Sequence, residues 1–318
     1  MSEPSASYFD TSTWSPPDVI SGGSRRIPVR TPAGEFRVWT RRVGHNPGLK
    51  VLLLHGGPGA SSELFECFDT WFPRAGIEYY HYDQLGSFRS DQPDDASLWE
   101  LGRFVDEVEQ VRQALVLDRT NFVLAGQSWG GLLAMEYAVR HQQSLKGLVI
   151  SNMMSSAPLY NAYARDVLMP AMDQAVLAEI KQYEADGKTD DPRYEQLLME
   201  HHYALHVCRM PLADWPDPVT RSLAHINPAI YVPMQGPSEL GLSGKLENWD
   251  RSADLRRVDV PTLVIGATHD TMDPAHMRWM SGQLPQGHYL HCPNGSHLAQ
   301  FDDPGHYFPG LIDFLTSL

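Results

Sequence analysis

The sequence predicts an α/β protein: a mostly parallel central sheet flanked by helices, with a helical cap inserted late in the chain. Three observations predict it. Short apolar runs at 51–55, 77–82, 122–125, 148–150 and 260–266 each end in turn residues, as strands buried on both faces of a parallel sheet do. Helical stretches alternate with these runs, and crossovers between parallel strands are expected to be right-handed. From Asn152 to Asn248 the alternation stops, leaving helix-like segments with polar breaks such as Asp186-Gly187 and Pro216-Asp217-Pro218. Residues 1–151 and 249–318 are therefore expected to form one core, and 152–248 the cap.

The elements follow in order. Residues Arg26 to Arg30 and Glu35 to Arg42 flank Thr31-Pro32-Ala33-Gly34, a Pro/Gly turn that predicts a hairpin at the start of the sheet. Strands are expected at Val51 to His55 and Ile77 to Tyr82. Between Leu98 and Leu117, residues Leu101, Phe104, Val105, Val108, Val111, Leu115 and Val116 recur at helical spacing, with acids and Arg112 on the other face. That pattern predicts an amphipathic crossover helix. Phe122 to Ala125 reads as a strand, Gly126 to Gly131 as a tight turn and Leu132 to Arg140 as a helix rich in good formers. Leu148 to Ile150 is the next strand. After the cap come a strand at Val260 to Gly266 and a helix at Pro274 to Gln283 with proline in its first turn. A strand at Gly287 to Leu290 and a helix at Gly305 to Leu318 close the chain.

Composition narrows the function classes. Of 318 residues 42% are hydrophobic and 20% charged, enough apolar material for a large core. The formal net charge of -14 argues against a nucleic-acid partner, because phosphate binding needs a basic stripe and none is visible. Cys67, Cys208 and Cys292 are far apart and lack CxxC spacing, so free thiols in a reducing compartment are expected rather than disulfides or zinc. The stretch from Met1 to Ile20 is polar, with neither a basic n-region nor an apolar h-region, so no signal peptide is expected and the cytoplasm is the default location. No run approaches the roughly 18 to 20 apolar residues of a membrane span.

The chemistry centres on Gly126-Gln127-Ser128-Trp129-Gly130, a G-x-S-x-G motif between a predicted strand and a predicted helix. That context defines a nucleophile elbow, whose glycines let a serine sit on a sharp turn. A neutral hydroxyl is a weak nucleophile, so Ser128 needs a base, and the base an orienting acid. In the α/β-hydrolase fold these follow in the order serine, acid, histidine. Asp270 stands just beyond the strand ending at Gly266. His297, in Asn294-Gly295-Ser296-His297-Leu298, lies between the last strand and last helix. Asp273 and Asp259 compete for the acid's place, but one stands at a helix N-cap position before Pro274 and the other before a strand. An oxyanion needs donors, and His55-Gly56-Gly57-Pro58-Gly59 supplies a loop in which the Gly57 N–H, with that of Trp129, could face it. His55 is expected to brace that loop. His201, His202 and His206 lack the glutamate of H-E-x-x-H, and are read as a cap-helix face rather than a metal site.

Together with Tyr82-Asp83-Gln84, Met234-Gln235-Gly236-Pro237-Ser238-Glu239 and Gly295-Ser296-His297, these motifs make the chain resemble the proline iminopeptidase family. The resemblance implies an α/β-hydrolase with a helical cap. It implies hydrolysis, without metal or cofactor, of small peptides or amides with a free N-terminus, releasing the N-terminal residue, often proline. It maps the triad onto Ser128, Asp270 and His297, and a cap glutamate that binds the substrate's α-ammonium onto Glu239. Two positions depart from the family pattern. Thr271 stands where many members carry a second glutamate, and Phe88 stands in Gly86-Ser87-Phe88-Arg89-Ser90 where Gly-x-Gly-Arg-Ser is common, so Phe88 is expected to reshape the pocket. Rival readings are an esterase or amino-acid amidase using the same triad, and a non-catalytic ligand-binding member of the fold. Epoxide hydrolases and dehalogenases, which use an aspartate nucleophile, are disfavoured by the serine at the elbow.

Overall fold

The computed structural model describes residues 23–318. The expectation about Met1 to Ile20 lies outside the described residues. Eight strands form one sheet: β1 (Ser24–Thr31), β2 (Gly34–Val43), β3 (Lys50–Leu54), β4 (Glu78–Asp83), β5 (Phe122–Gln127), β6 (Gly147–Ser151), β7 (Thr262–Ala267) and β8 (Gly287–Cys292). Their order is β1-β2-β4-β3-β5-β6-β7-β8. The opening hairpin pairs Thr31 with Gly34, and β2 pairs antiparallel with β4; from β4 to β8 every neighbour is parallel.

The period of two along each strand splits the core between the two faces of the sheet. On β3, Leu52 and Leu54 join Phe104, Val108, Leu132 and Met277 on one face. Val51 and Leu53 join Phe65, Phe68, Phe72, Tyr307 and Phe308 on the other. Helix α1 (Leu101–Ala114) buries Phe104, Val105, Val108 and Val111, as its spacing predicted, but it ends before Leu115 and Val116, and Val116, with a left-handed φ of 53°, is exposed rather than on the buried face. Helix α2 (Trp129–His141) starts three residues earlier than the sequence suggested, because Trp129, Gly130 and Gly131 are its first turn rather than a loop before it. Its first ten residues are all buried, so it carries no amphipathic signal to mark its start.

Between β6 and β7 the described chain holds helices and no strand, with the helices Gln174–Ala185, Pro192–Leu198, Asp217–Ala224 and Pro228–Met234 among them. Polar caps start several of them: Asp173, Asp191 and Asn227 each accept a backbone N–H from the first turn. The segment returns to the core at separate points. Asn227 N–H donates to the Gly59 carbonyl at 2.9 Å, and the N–H groups of His297 and Leu298 donate to the carbonyls of His206 and Val207 at 2.9 and 2.8 Å. Among the described residues no helix is long and apolar enough to cross a membrane, and Cys67, Cys208 and Cys292 are free.

Candidate active site

Ser128 is the hinge between β5 and α2, with φ 56° and ψ -126°, a region that non-glycine residues occupy only under strain. Its neighbours explain how the turn closes. A Cβ on Gly126 would overlap the carbonyl of Gly130, and one on Gly130 would overlap the carbonyl of Leu54. Only glycine fits either place. The Ser128 N–H donates to the Ser151 carbonyl at 3.0 Å, and its own carbonyl accepts from Gly131 at 2.7 Å, opening the helix. Its side chain is nearly buried, at 7% exposure.

Two further loops at the same edge of the sheet bring Asp270 and His297 together. Asp270 follows β7 and His297 follows β8, and His297 Nδ1 donates to Asp270 Oδ1 at 2.7 Å. Burial alone would lower the pKa of His297, but the charge and hydrogen bond of Asp270 outweigh it. With further help from Glu239 and Asp302, the pKa is raised above its ordinary value. The other carboxylate oxygen of Asp270 accepts from Asn152 Nδ2 at 2.7 Å, and Met272 N–H donates to Oδ1 at 3.1 Å. Gln127 Nε2 donates to the His297 carbonyl at 3.0 Å, so the residue before Ser128 is tied to the histidine's backbone. Among the described residues no direct hydrogen bond joins Ser128 Oγ to His297 Nε2.

The competing acids are occupied elsewhere. Asp273 caps the helix Pro274–Gln283 by accepting from Ala275 N–H, and Asp259 accepts from Gln286 Nε2. Thr271 is fully buried, with Oγ1 3.2 Å from His297 Nδ1 and 3.4 Å from Asp270 Oδ1.

Gly57 has φ 108°, and its loop lies against the elbow: a Cβ on Gly56 would come within 3.2 Å of Ser128 Cβ. Trp129 begins α2, so its N–H is one of the unpaired donors at a helix start. His55 is buried and its pKa is lowered, chiefly by desolvation. As a neutral ring it donates from Nδ1 to the Gly56 carbonyl at 2.9 Å and accepts the Gln84 N–H at Nε2, at 3.1 Å, which is a bracing arrangement.

Glu239 is held from several sides. Tyr231 Oη donates to Oε1 at 2.6 Å, Tyr160 Oη and His202 Nε2 donate to its carbonyl at 2.7 and 3.1 Å, and its N–H donates to Tyr203 Oη at 3.3 Å. Burial raises its pKa above the usual carboxylate range even though His297 and the Tyr231 hydroxyl pull the other way. The charges of Glu239 and His297 act on each other, the carboxylate raising the pKa of His297 and the imidazole opposing the rise at Glu239. His202 is fully buried and pushed down to about 3 by desolvation, so it is a neutral donor here. His206 donates to the His269 carbonyl at 3.0 Å. Among the described residues no cluster of three or more His, Cys, Asp or Glu is arranged to hold a metal. Phe88 stacks on His225 with ring centroids 3.7 Å apart and carries the Arg89 guanidinium 4.5 Å from its ring. Its ring is thus engaged at the junction between the helical insertion and the core.

Sequence reasoning missed Asn152, Ser151 and Gln84. None stands in a motif with a known chemical signature, although Gln84 lies within a run already singled out.

Comparison with known proteins identifies the fold and the family. Residues 50–304 match the family described as the alpha/beta hydrolase fold. A proline iminopeptidase of Flavobacterium johnsoniae is 53% identical over 292 residues, covering 92% of this chain and 98% of its own. One of Elizabethkingia meningoseptica is 54% identical over 294 residues, with the same coverage. The crystal structure of a proline iminopeptidase of Mycobacterium smegmatis superposes with a TM-score of 0.80 at 30% identity, covering 92% of this chain and 98% of that one. By its sequence and its fold, the chain belongs to the proline iminopeptidase family of α/β-hydrolases.

Proposed function

We propose that the protein is a serine aminopeptidase whose triad is Ser128, His297 and Asp270. Hydrolysis of a peptide or amide with a free N-terminus, releasing proline or another small residue, is the reaction that family membership and the site's chemistry support together. The observation that carries the residue roles is the 2.7 Å hydrogen bond from His297 Nδ1 to Asp270 Oδ1, set at the sheet edge where Ser128 occupies a strained turn. That bond leaves Nε2 of His297 as the ring's basic nitrogen. Ser128 Oγ attacks the scissile carbonyl while Nε2 takes its proton, and the developing oxyanion is met by the N–H groups of Gly57 and Trp129. His297 then returns the proton to the leaving amine, and water repeats the sequence on the acyl-enzyme.

Glu239 anchors the substrate's ammonium in this reading. Tyr231 occupies one of its carboxylate oxygens, and among the described residues no hydrogen bond occupies the other. Residues 152–248 serve as the cap that carries this anchor, and Phe88 acts on the pocket through the cap junction rather than as an isolated wall. The substrate is a short peptide or amide; the acidic charge balance supports a cationic one. A cytoplasmic location fits the three free thiols.

The test is hydrolysis of prolyl, alanyl and phenylalanyl chromogenic amides, each with the α-amine free or acetylated, with Ser128→Ala as control. Turnover of the free-amine forms alone, abolished in Ser128→Ala, is expected. A preference for acetylated amides or simple esters would replace the aminopeptidase with a general esterase or amidase on the same triad.

A further inference from the structure

In the sheet order β4-β3-β5, a side chain at the end of β4 must cross over the end of β3 to reach the turn after β5. Gln84, the residue after β4, does so. Its Oε1 accepts the indole N–H of Trp129 at 2.9 Å, and its Nε2 donates to the His55 carbonyl at 3.3 Å. Its backbone N–H donates to His55 Nε2 at 3.1 Å, while the opposite ring nitrogen of His55 donates to the Gly56 carbonyl at 2.9 Å. His55, Gln84 and Trp129 are 0%, 1% and 2% exposed, so water does not compete for these bonds. Desolvation keeps His55 neutral, which is what lets its Nε2 act as an acceptor.

One amide therefore spans the two chain segments that carry the Gly57 and Trp129 N–H groups. We propose that Gln84 is a positioning residue that sets the separation of the two oxyanion donors. The proposal rests on the serine mechanism given above. A substrate carbonyl is a weak acceptor and tolerates a loose pair of donors; the oxyanion that forms when Ser128 adds does not. Gln84 should therefore matter to the transition state and little to substrate binding.

The experiment compares wild type, Gln84→Met, Trp129→Phe and the double variant as full chains. Gln84→Met keeps the length of the side chain and removes both of its hydrogen bonds. Trp129→Phe removes only the indole partner and leaves the backbone N–H. The substrate is a prolyl chromogenic amide and the probes are prolinal and prolinol. Ser128 Oγ adds to the prolinal aldehyde carbon, the C=O π pair moves to oxygen as an alkoxide, and the hydroxyl proton passes to His297. Prolinol offers the same amine and ring with no carbonyl to attack.

For Gln84→Met we expect kcat and prolinal affinity to fall together by on the order of 10- to 100-fold, below the full loss of one oxyanion donor. KM and prolinol affinity should stay within about twofold, and the double variant should lose no more than the worse single one, because both changes cut the same link. If Gln84→Met does not fold, Trp129→Phe carries the test alone, with the same selective loss of kcat and prolinal affinity. Unchanged kcat and prolinal affinity in either folded variant, or an equal loss for prolinal and prolinol, would overturn the proposal by leaving Gln84 a packing residue. Failure of the serine mechanism looks different: wild type itself then neither turns over prolyl amides nor reacts with a fluorophosphonate.

Discussion

Asn152 Nδ2 donates to Asp270 Oδ2 at 2.7 Å, so the carboxylate that faces His297 with one oxygen is held from behind through the other. The same amide donates to the Ser296 carbonyl at 3.1 Å, and the Asn152 N–H donates to the Ile265 carbonyl at 2.8 Å. One residue thus joins the loops after β6, β7 and β8. Its φ of 52° is a left-handed value that asparagine tolerates better than most residues. Replacing it by alanine leaves Oδ2 without that partner, at a cost of about 1–3 kcal/mol in stability. It also frees the carboxylate to rotate away from the imidazole. Asn152→Ala should fold, melt lower and lose about 10- to 100-fold in kcat. A variant with the expected drop in Tm but wild-type kcat would remove the orienting role.

Thr271 stands where many family members carry an acid, and its hydroxyl fills a place beside the His297–Asp270 bond. Thr271→Val removes the hydroxyl at nearly constant volume. With the 2.7 Å bond intact, the change in kcat should stay within about tenfold, the scale of about 0.5–1.5 kcal/mol for one neutral hydrogen bond. Thr271→Glu is the more informative change. A second carboxylate beside Asp270 favours the imidazolium, so the acid limb of the kcat/KM profile should move to higher pH. The KM of free-amine substrates should fall as the ammonium gains a second anion. An acid limb that stays in place would show that this position does not communicate with His297.

The pH dependence follows from two groups whose pKa is raised. His297 must be neutral to accept the serine proton, and its raised pKa puts the acid limb above the 6.5 of an ordinary histidine. Activity is present above that limb and lost as pH falls through it. Glu239 contributes to the shift, so Glu239→Gln should move the limb downward while raising KM for free-amine amides by about 10- to 100-fold, the scale of one charge-assisted contact. Labelling by a fluorophosphonate, which has no ammonium, should show the pKa movement without a loss of affinity. An equal loss of affinity for the fluorophosphonate and for free-amine amides would argue against an ammonium anchor at Glu239.

Much of this was legible in the chain because local pattern and local structure coincide there. Val51 to Leu54 and Phe122 to Ala125 are buried on both faces, so uninterrupted apolar runs marked them. The glycines around Ser128 are dictated by contacts within and beside the turn itself, which is why the motif located the elbow. The helix Pro274–Gln283 announced itself by Asp273 and Pro274 at its start. Other features depend on contacts between distant residues. Asn152 meets Asp270 across 118 positions, and Gln84 meets Trp129 across 45, with no spacing rule to connect either pair. The 3-10 segment Ser62–Thr70 lies where a helix was expected between two strands, but its bounds were not legible, since its buried Ser62 and Glu63 resemble surface residues until their partners are seen.

Those partners form a latch between the helical insertion and the core. Glu63, 1% exposed, pairs with Arg221, accepts from His225 Nδ1 at 2.7 Å and from Ser61 Oγ at 2.8 Å, and Arg221 also reaches Glu66 at 2.7 Å. Burial alone would raise the Glu63 pKa, but the hydrogen bonds of His225 and Ser61 and the charges of His225 and Arg221 outweigh it, so the folded value lies below the ordinary 4.5. For a carboxylate with a depressed folded pKa, the stabilisation is fully present above the unfolded value. It is lost as pH falls through the folded one. Glu63→Gln removes the charge but keeps the shape, and should lower the melting temperature at pH 7 by about 3–8 °C. The gap from wild type should narrow as the pH is taken below 4.5, where the unfolded carboxyl is already protonated and the wild-type advantage fades. Melting curves of the two proteins between pH 3 and 8, on the order of five steps, decide it. A gap independent of pH would mean that Glu63 acts by packing, and that charge does not fasten the insertion to the core.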